Sequence, residues 1–413
     1  MEPNTGQFIA GKRIIVAGAS FAGLAFVTAL EQLWNSSLDR PEVVVFEQHQ
    51  REESIQKDPY VLCINGGSQN EGLVVLQQLD LLDDIRPHST LNSGDIRVWS
   101  GDWKQLSSIN PKPYGNLPAA TMRISRQDLK RILVEKAEKT KTIWKWGSPC
   151  LAAERLPNGK IRVKISTEEG SQISTHDCDL LVAADGANSI IRASFRPNDM
   201  KLQYTGLTQI GGISRLPNGL PHPIHEDYGL QMSSGEGICC IYNPFGCETI
   251  GWALSWRQPE REVKSGPFTQ EELAALKEEA LKTGSMFQEP FKTIVEATDP
   301  QTPFIRPAKE KTAFAHDSSL KGAVFIGDAN HVLSPYEFVG ANLALKDGWD
   351  LAEQICCNTS METTVAAYDK LSIPRFEDVY NFSHTRIGFG HSTGLKWTFY
   401  KHGMAVQRVF GKK

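Results

Sequence analysis

An acid, a proline and a glycine-initiated helix follow one another in the segment FIGDANHVLSPYEFVGANLALKDGWDLA, from Phe325 to Ala352. An apolar strand is predicted to end at Gly327, where the chain turns and presents Asp328. The carboxylate of Asp328 suits the hydroxyl groups of a polyol. Backbone N–H groups at Gly340 and Ala341 favour negative charge at the start of a helix. The segment therefore predicts a site for one extended ligand with a sugar-like middle and an anion-forming end.

A flavin fits this description, because its reduced ring carries negative charge and is joined to a ribityl chain. Pro335 would fix the connecting loop, and Asn342 would begin a helix that runs to Ile355. Asp328 lies twelve residues before the helix start at Gly340. A site that binds only NAD does not need an acid and a helix start at this separation. The segment thus favours a flavin over a nicotinamide nucleotide.

A second candidate site lies near the start of the chain, in RIIVAGASFAGLAFVTALEQLW. Arg13–Gly18 is predicted to form a buried strand and Ala22–Trp34 an amphipathic helix. Between them, Gly18 permits a tight turn, Ser20 leaves room for a pyrophosphate, and Gly23 lets the strand and the helix pack closely. Such a dinucleotide fingerprint is weak by itself, since glycine turns between strands and helices are common.

Glu47 strengthens the dinucleotide interpretation. The apolar strand Val43–Phe46 ends at this acid, 24 residues after Gly23. A carboxylate there can accept hydrogen bonds from both ribose hydroxyls of an adenosine, and it repels a 2′-phosphate. FAD and NAD both fit this site, whereas NADP is disfavoured.

An arginine in an unfavourable helical position marks a third segment. The segment Thr121–Ala137 is predicted to supply a helix whose N-cap is Ser125, and Arg126 stands in the first turn of that helix. A cation there opposes the helix dipole. Arg126 therefore either has an anionic partner elsewhere or is a solvated surface residue.

A further turn, Asp185-Gly186, follows the predicted buried strand Asp179–Ala184. Parallel strands bind ligands at their carboxyl ends, so this turn would lie at the same sheet edge as the fingerprint. In the short helix Asn188–Phe195, Arg192 is the one candidate for a catalytic residue. A fixed cation there could stabilise an alkoxide or donate a proton; the alternative is a surface arginine that pairs with a nearby acid.

The remaining patterns predict the elements around these sites. A strand is expected in Gly94–Trp103, and turns are expected at Asn158-Gly159 and in Thr167–Ser171. Residues 197–304 have the pattern of a β-rich layer, which would form the floor of a substrate pocket. Within it, Thr269 is the predicted cap of a helix.

Composition limits the classes of function. The chain has 413 residues, of which 40% are hydrophobic and 22% charged, and its net charge is −4. Binding to nucleic acid or to anionic membranes is therefore not expected. The first residues lack a signal-peptide pattern, and no apolar run approaches the roughly 18 residues of a membrane span. Eight cysteines without a Cys-x-x-Cys motif predict neither a disulfide framework nor a metal site, so a cytoplasmic location is expected.

Taken together, the motifs resemble the single-component, FAD-dependent aromatic hydroxylases, which include 4-hydroxybenzoate and salicylate hydroxylases. The resemblance covers residues 12–385. The motifs that carry it are Gly18–Gly23, Glu47, Arg126, Asp185-Gly186 and Gly327–Asn342. The spacing of RISRQDLKRIL and of Tyr204-Thr205-Gly206 is most similar to the tetracycline-inactivating monooxygenases. These separated motifs are jointly specific when they occur in this order.

The resemblance implies a role for each motif. Glu47 would hold the adenosine ribose of FAD, Arg126 would reach its pyrophosphate or ribityl region, and Asp328 would bind the same region. Gly340, Ala341 and Asn342 would approach the isoalloxazine ring. The full set of predicted cofactor-binding residues is Gly18, Ser20, Gly23, Glu47, Arg126, Asp185, Gly186, Gly327, Asp328, Pro335, Gly340, Ala341 and Asn342.

The implied fold is α/β: a Rossmann-type FAD-binding domain interleaved with a mixed β-sheet substrate domain, followed by C-terminal helices. The FAD-binding domain would comprise residues 1–90, 119–196 and 305–360. The substrate domain would comprise residues 91–118 and 197–304, and the closing helices residues 361–413. The basic tail Gly394–Lys413 would be an amphipathic helix for self-association or domain docking, in a monomer or a homodimer.

The implied activity is a monooxygenase reaction in secondary metabolism or catabolism. NADPH or NADH would dock transiently and reduce the flavin, because Gly66-Gly67 and Gly235–Gly237 lack the strand-to-helix setting of a second fingerprint. Dioxygen would then be used to hydroxylate or epoxidise an aromatic, enolic or polycyclic small molecule.

Two residues depart from the family pattern, since Ser20 and Phe338 both replace glycines. Phe338, predicted to contact the substrate, could form a wall for a flat molecule, crowd the site where oxygen reacts, or point into the core. Two other classes of function therefore stay open: a flavin-dependent oxidase or oxidative cyclase, and a non-redox cyclase or binding protein that keeps the scaffold.

Overall fold

The computed structural model describes residues 6–57, 60–92, 95–166, 172–199, 201–224, 228–233, 235–265, 267–337 and 339–410. The strands in these residues are β1 Arg13–Ala17, β2 Glu42–Phe46, β3 Val61–Asn65, β4 Ser89–Asn92, β5 Ile96–Ser100, β6 Gln105–Ile109, β7 Thr121–Ser125, β8 Ile143–Lys145, β9 Cys150–Arg155, β10 Ile161–Ser166, β11 Ile173–Cys178, β12 Leu180–Ala183, β13 Gln203–Arg215, β14 Tyr228–Met232, β15 Cys239–Pro244, β16 Thr249–Arg257, β17 Lys264–Ser265, β18 Phe304–Glu310 and β19 Ala323–Phe325.

The α-helices of the described chain alternate with these strands in the first half and close the fold at its end. They are α1 Phe21–Leu33, α2 Arg51–Gln56, α3 Gly72–Gln78, α4 Leu82–Ile85, α5 Arg126–Ala137, α6 Ile190–Phe195, α7 Gln270–Thr283, α8 Phe291–Glu296, α9 Gly340–Cys357, α10 Met361–Gly390 and α11 Gly394–Phe410.

A parallel sheet of order β19-β12-β1-β2-β8 forms the centre of the cofactor-binding half. Strands β1, β12 and β19 of this sheet are short apolar runs that are buried on both faces, as expected for a parallel sheet. Helices α1 and α9 cover one face, and they pack so closely that a Cβ on Gly348 would lie 2.3 Å from the carbonyl oxygen of Ala22. The small antiparallel sheet β11-β10-β9 covers the other face.

The order of this sheet explains how three distant motifs meet. Strands β1, β12 and β19 are adjacent and parallel, so the residues after them, Gly18, Asp185 and Gly327, lie at one edge. The predicted convergence of these turns on one sheet edge is confirmed.

A mixed sheet of order β17-β18-β13-β16-β15-β14-β5-β6 forms the other half. Its pairs are antiparallel except β14 with β5, which is parallel. Strands β5 and β6 come from the early segment 96–109 and extend the sheet made by later residues. The α/β fold with an interleaved mixed sheet is therefore confirmed, while the exact domain boundaries stay an interpretation.

Local predictions were confirmed at turns and helix caps that have a strong signal in the sequence. Gly159 has φ 84° in the turn between β9 and β10. Ser125 accepts a hydrogen bond from the N–H of Asp128 and caps α5. Thr269 and Glu272 form the predicted capping box at the start of α7. These signals act within a few residues, so neighbouring sequence suffices to predict them. The turn predicted in residues 167–171 lies outside the described residues.

The helix predicted in the segment Thr121–Ala137 begins at Arg126, directly after its predicted N-cap, and residues 121–125 form β7 between β3 and β4. Two local predictions were wrong. The strand predicted for Gly94–Trp103 ends at Ser100, and Trp103 has φ 59° in the turn to β6. Gly66-Gly67 does lie between a strand, β3, and a helix, α3; β3, however, belongs to an antiparallel sheet rather than to the parallel one.

None of the described helices combines the length and the apolar character that crossing a membrane requires. Within the same described ranges, His, Cys, Asp and Glu side chains do not come together in groups of three that could bind a metal ion.

Candidate cofactor and substrate site

The turn after β1 is built for close approach of the backbone. Gly18 has φ +102°, and a Cβ there would lie 2.4 Å from the carbonyl oxygen of Ala184. A Cβ on Gly23 would lie 2.3 Å from the carbonyl oxygen of Gly18. Side chains at either position would push β1, β12 and α1 apart, which explains the glycines of the fingerprint.

The N-terminus of α1 opens into a cavity. Ser20 is the N-cap of this helix, but its side chain makes no capping hydrogen bond, so its hydroxyl and the first N–H groups of the helix can bind an anion. The cavity has a volume of about 590 Å³. Its lining includes Gly18, Ser20, Phe46, Glu47, His49, Arg126, Lys130, Pro149, Asp185, Gly186 and Asn188. A diphosphate attached to a nucleoside fits these groups.

Glu47 is fixed by two backbone hydrogen bonds. Its Oε2 accepts from the N–H of Ala19 at 2.8 Å, and its Oε1 accepts from the N–H of His49 at 3.0 Å. Each carboxylate oxygen keeps a further lone pair. Glu47 can therefore accept the ribose hydroxyls for which it was predicted, without any change of conformation.

Asp185 offers a buried acceptor in the same cavity. Its Oδ2 accepts from the N–H of Ile191 at 3.1 Å, whereas its Oδ1 is buried without a partner. Burial raises the pKa of this carboxyl, against the hydrogen bonds from Ser189 and Ile191. Gly186 follows with φ +83°, so the chain turns away and leaves the acid at the cavity wall. Ligand hydroxyls would satisfy the unpaired oxygen.

Arg126 lies at the cavity with a carbonyl partner. Its Nη1 donates to the carbonyl oxygen of Lys57 at 2.6 Å, and its guanidinium lies 5.7 Å from the ring centre of Phe21. The structure thus gives Arg126 a partner that carries no charge, rather than the acid that the sequence interpretation considered. A phosphate in the cavity would supply the missing anion.

Lys130 was missed by the sequence analysis. It lies one turn beyond Arg126, is 2% exposed, lines the same cavity and donates to the carbonyl oxygen of Ala19. Burial lowers the pKa of Lys130 to about 8, partly offset by Glu47. The available signal was a lysine among buried positions of α5, between Leu129 and Leu133. A buried cation beside the fingerprint is suited to a ligand phosphate.

A pH-dependent stability is expected for the ligand-free protein. The pKa of Lys130 is about 8 in the folded chain and about 10.4 when unfolded, so between these values the unfolded state binds more protons. The free energy of unfolding should therefore rise from about pH 8 to 10, by roughly 3 kcal/mol for this group. Lys130→Met should abolish the rise, and the exposed-face variant Arg131→Met should keep it. Urea denaturation across this range measures the effect; parallel profiles for wild type and Lys130→Met would contradict it.

Asp328 follows β19 in a short 3-10 turn, Gly327–Ala329. Its side chain is exposed at the carboxyl ends of the strands. Desolvation by the surrounding protein nevertheless raises the pKa of its carboxyl, with His331 and Arg192 opposing this effect. An exposed carboxylate at this edge can accept hydrogen bonds from ligand hydroxyls.

Arg192 is fully buried and holds the turn that carries Asp328. Its Nη1 donates to the carbonyl oxygen of Ala329 at 2.8 Å, and its Nη2 donates to that of Ala187 at 2.5 Å. The guanidinium therefore ties α6 to the end of β19. The catalytic role stays a prediction, and these contacts favour a positioning role instead, because the donors are directed at backbone carbonyls.

A buried ionic cluster supports the same turn from behind. Asp347 of α9 accepts hydrogen bonds from the N–H of Gly327 and the Nε2 of His331, both at 2.9 Å. Its other oxygen accepts from Arg375 of α10 at 2.8 Å. Arg375 also donates to Asp350 at 2.6 Å. The backbone of the Asp328 turn is thus fixed to two helices.

At the start of α9 the backbone borders open space, whereas the side chain of Asn342 is hydrogen-bonded to the protein. A Cβ on Gly340 would meet nothing within 4 Å, so the backbone there borders open space. The side chain of Asn342 instead accepts from the N–H groups of Asn65 and Gly72 and donates to the carbonyl of Cys63. Asn342 therefore locks α9 to β3, and only its backbone is available to a ligand.

A second cavity of about 160 Å³ lies between this helix start and the large sheet. Its lining on the loop side is Leu333, Ser334, Pro335, Gly340 and Ala341. On the sheet side it is Gln209, Gly212, Ile213, Ile241, Asn243, Gly251, Trp252 and Ala253. The predicted β floor of a pocket is thus present. Phe338, the predicted substrate contact, lies outside the described residues, so its role stays a prediction.

Comparisons with known proteins agree with this arrangement. The family model described as FAD binding domain matches residues 43–383. Monooxygenase cfoF of Aspergillus candidus is 38% identical over 393 residues, which cover 94% of each chain. The 3-amino-4-hydroxybenzoate 2-monooxygenase of Streptomyces cremeus is 25% identical over 381 residues, 89% of this chain and 85% of that one.

A solved structure shows the same fold. HpxO of Klebsiella pneumoniae, crystallised with FAD and uric acid, superposes with a TM-score of 0.74 at 16% identity, over 98% of this chain and 96% of that one. The finer likeness to tetracycline-inactivating monooxygenases stays a prediction. The family match and the relative at 38% identity show that this chain belongs to the FAD-dependent aromatic hydroxylases and is an FAD-dependent monooxygenase.

Proposed function

We propose that this chain uses NADPH or NADH and dioxygen to hydroxylate or epoxidise an aromatic, enolic or polycyclic small molecule. The observation that carries the proposal is the cavity of about 160 Å³, whose opposite walls are the large sheet and the start of α9. An engineered cavity of about 150 Å³ binds benzene, so this one admits an aromatic ring. A substrate there lies beside the helix start where the flavin ring is expected.

Bound FAD would supply the redox chemistry, since it accepts hydride from a nicotinamide and passes electrons to dioxygen. The chain itself provides binding and shielding. Asp185 and Asp328 would accept hydrogen bonds from FAD hydroxyls, and the open N–H groups of Gly340 and Ala341 would stabilise negative charge at the ring. Apolar residues such as Val61 and Ile241 line the substrate cavity and exclude water.

A transient electron donor is consistent with the described topology. Gly66-Gly67 follows a strand of an antiparallel sheet, and its second N–H is bound by Glu71. Gly235 and Gly237 lie between β14 and β15, and the described residues of that connection form no helix. Neither place resembles the parallel-strand turn at Gly18. The proposal therefore includes NADPH or NADH as an electron donor that docks transiently. It also includes a cytoplasmic location and a monomeric or homodimeric protein.

Anaerobic mixing followed by oxygen tests the proposal. The yellow protein is mixed with NADPH or NADH and a candidate aromatic or enolic substrate, and flavin bleaching is recorded before air is admitted. Fast bleaching and a product that contains one atom from labelled dioxygen are expected. Bleaching with only hydrogen peroxide and a dehydrogenated product would favour an oxidase or oxidative cyclase. A yellow protein that neither donor bleaches would favour a non-redox cyclase or a binding protein.

A further inference from the structure

The C-terminal helix α11 is attached to the large sheet by one apolar face. Trp397 and Met404 are each 6% exposed, and they pack with residues of β5, β6, β14 and β15. A Cβ on Gly235 would lie 2.9 Å from the Cδ1 atom of Trp397, so the connection between β14 and β15 lies directly against this ring. These contacts determine which side of α11 is turned away from the protein.

The opposite side of α11, its outer face, is apolar as well but exposed. Leu395 is 89% exposed and Phe399 is 76% exposed, the two largest values among the large apolar side chains of the described chain. The two residues stand four positions apart, roughly half a turn around the helix from the packed face. In the sequence, Val406 and Phe410 follow Phe399 at spacings of seven and eleven residues, which are typical of one helix face. Exposed apolar side chains in such a row mark an interaction surface.

The charge around the outer face is positive. Residues 379–413 contain six of the 44 Lys and Arg residues and none of the 48 Asp and Glu residues. This segment therefore has a net charge of +6, and the rest of the chain has a net charge of −10, since the total is −4. Lys396 and Lys401 are exposed and lie on either side of the row that begins with Leu395 and Phe399.

This charge distinguishes between possible occupants of the outer face. A second copy that packed its own outer face here would bring Lys396 and Lys401 of both copies together, with no Asp or Glu in residues 379–413 to pair with them. Like charges that meet in an interface oppose association. An anionic lipid surface instead offers negative headgroups to the lysines and an apolar interior to Leu395 and Phe399. The long side chains of the lysines allow both contacts at once.

We propose that the outer face of α11 binds an anionic membrane surface, with the helix axis parallel to the bilayer. Leu395 and Phe399 enter the boundary between headgroups and acyl chains, and Lys396 and Lys401 contact the anionic headgroups. The expectation from total charge, that anionic membranes are not bound, is revised for this helix, because the total conceals the basic segment. No described side chain of α11 lines the cofactor or substrate cavity, so the inference does not depend on the proposed reaction.

Sedimentation of the full-length, FAD-loaded protein with lipid vesicles tests the inference. The vesicles contain either phosphatidylcholine alone or phosphatidylcholine with about 30% phosphatidylserine. Wild type should bind the anionic vesicles at least about tenfold more tightly than the neutral ones. Raising the salt concentration from about 0.1 M to about 0.5 M should weaken this binding several-fold, because salt screens the lysines from the headgroups.

Two double variants of the outer face separate its apolar and charged contributions. Leu395→Ser with Phe399→Ser should weaken binding to the anionic vesicles about tenfold or more, because the apolar area that enters the lipid is lost. Lys396→Gln with Lys401→Gln should also weaken it about tenfold or more, because each lysine near an anionic surface contributes to binding. All four side chains are exposed, so the flavin absorbance of both variants should match that of wild type.

Matched double variants elsewhere on the surface are the controls. Ile173→Ser with Val263→Ser replaces apolar side chains that are 65% and 64% exposed. Lys12→Gln with Lys164→Gln removes two exposed lysines and changes the net charge by the same amount as the lysine variant of α11. Both control proteins should bind the anionic vesicles like wild type.

Several results would overturn the inference. One is a wild-type protein that does not bind anionic vesicles, or binds them no better than neutral ones. Another is unchanged binding in either variant of α11, or an equal loss of binding in the control variants. Sedimentation velocity without lipid tests the competing occupant. A dimer that Leu395→Ser with Phe399→Ser dissociates, in a protein that binds no vesicles, would assign the outer face to a second copy.

Discussion

Asp328→Ala is expected to purify with much less FAD than wild type. The carboxylate is exposed just after the end of β19, on a turn whose backbone Arg192 and Asp347 hold in place. Hydrogen bonds to a charged group contribute about 1.5–3 kcal/mol, so the dissociation constant for FAD should rise about 10- to 150-fold. The ratio of flavin to protein absorbance measures retention, and quenching of flavin fluorescence during reconstitution gives the constant.

Two further variants separate ligand binding from folding. Asp328→Asn keeps the size of the side chain and one acceptor oxygen, so its FAD affinity should lie between those of wild type and alanine. Asp317→Ala removes an exposed acid that precedes β19 and accepts from the N–H of Ser319, and it should retain FAD fully. Complete retention of FAD by Asp328→Ala would show that the cofactor does not depend on this acid.

The meeting of three turns at one sheet edge could be predicted from sequence because the signals of these turns are local. Each of Gly18, Asp185 and Gly327 follows a short apolar strand, and parallel strands present their carboxyl ends at one edge. The glycines are required by backbone geometry within the same turn, such as φ +102° at Gly18. The positions and directions of the strands are therefore enough to predict that these turns meet, and the packing of side chains is not needed.

Residues that act across long sequence separations could not be predicted in this way. Arg192 was considered a helix-surface or catalytic residue, but its guanidinium lies against the carbonyl of Ala329, 137 residues away. Lys130 is buried against Ala19, 111 residues away. Periodicity places such side chains on a helix face, yet it does not show which distant backbone covers that face.

Strand register hides the substrate site for a similar reason. Nothing in the neighbouring sequence of Gln209 or Asn243 indicates that Nε2 of the first and Nδ2 of the second lack hydrogen-bond partners, since that depends on what packs above the sheet. The capping signal at Ser125 predicts where α5 begins, whereas the pairing of Thr121–Ser125 as a strand depends on the distant β3 and β4. The strand propensity of a residue is a weak guide to secondary structure where pairing with distant strands decides whether a segment forms a strand.

The largest effect on stability is expected from Arg375→Met. Arg375 is 9% exposed and is shared by Asp347 and Asp350, each 1% exposed. Burial opposes ionisation of Asp347, but His331 and Arg375 outweigh it and hold its pKa below the usual range. Removing the arginine leaves two buried carboxylates with fewer cationic partners. Such a loss typically lowers the free energy of unfolding by about 3–5 kcal/mol.

This contribution is present above about pH 4, where an unfolded aspartate is ionised, and is lost as pH falls through the lower folded pKa. At neutral pH, Arg375→Met should therefore unfold several degrees below wild type and at lower urea concentration. Arg261→Met is the matched control, because Arg261 makes a half-exposed pair with Glu279 at 2.6 Å and should cost less than about 1 kcal/mol. Equal losses in the two variants would mean that the buried cluster contributes no more than a surface ion pair. A larger loss for Arg375→Met, with FAD released at a lower temperature, would show that the cluster holds the Asp328 turn in its binding conformation.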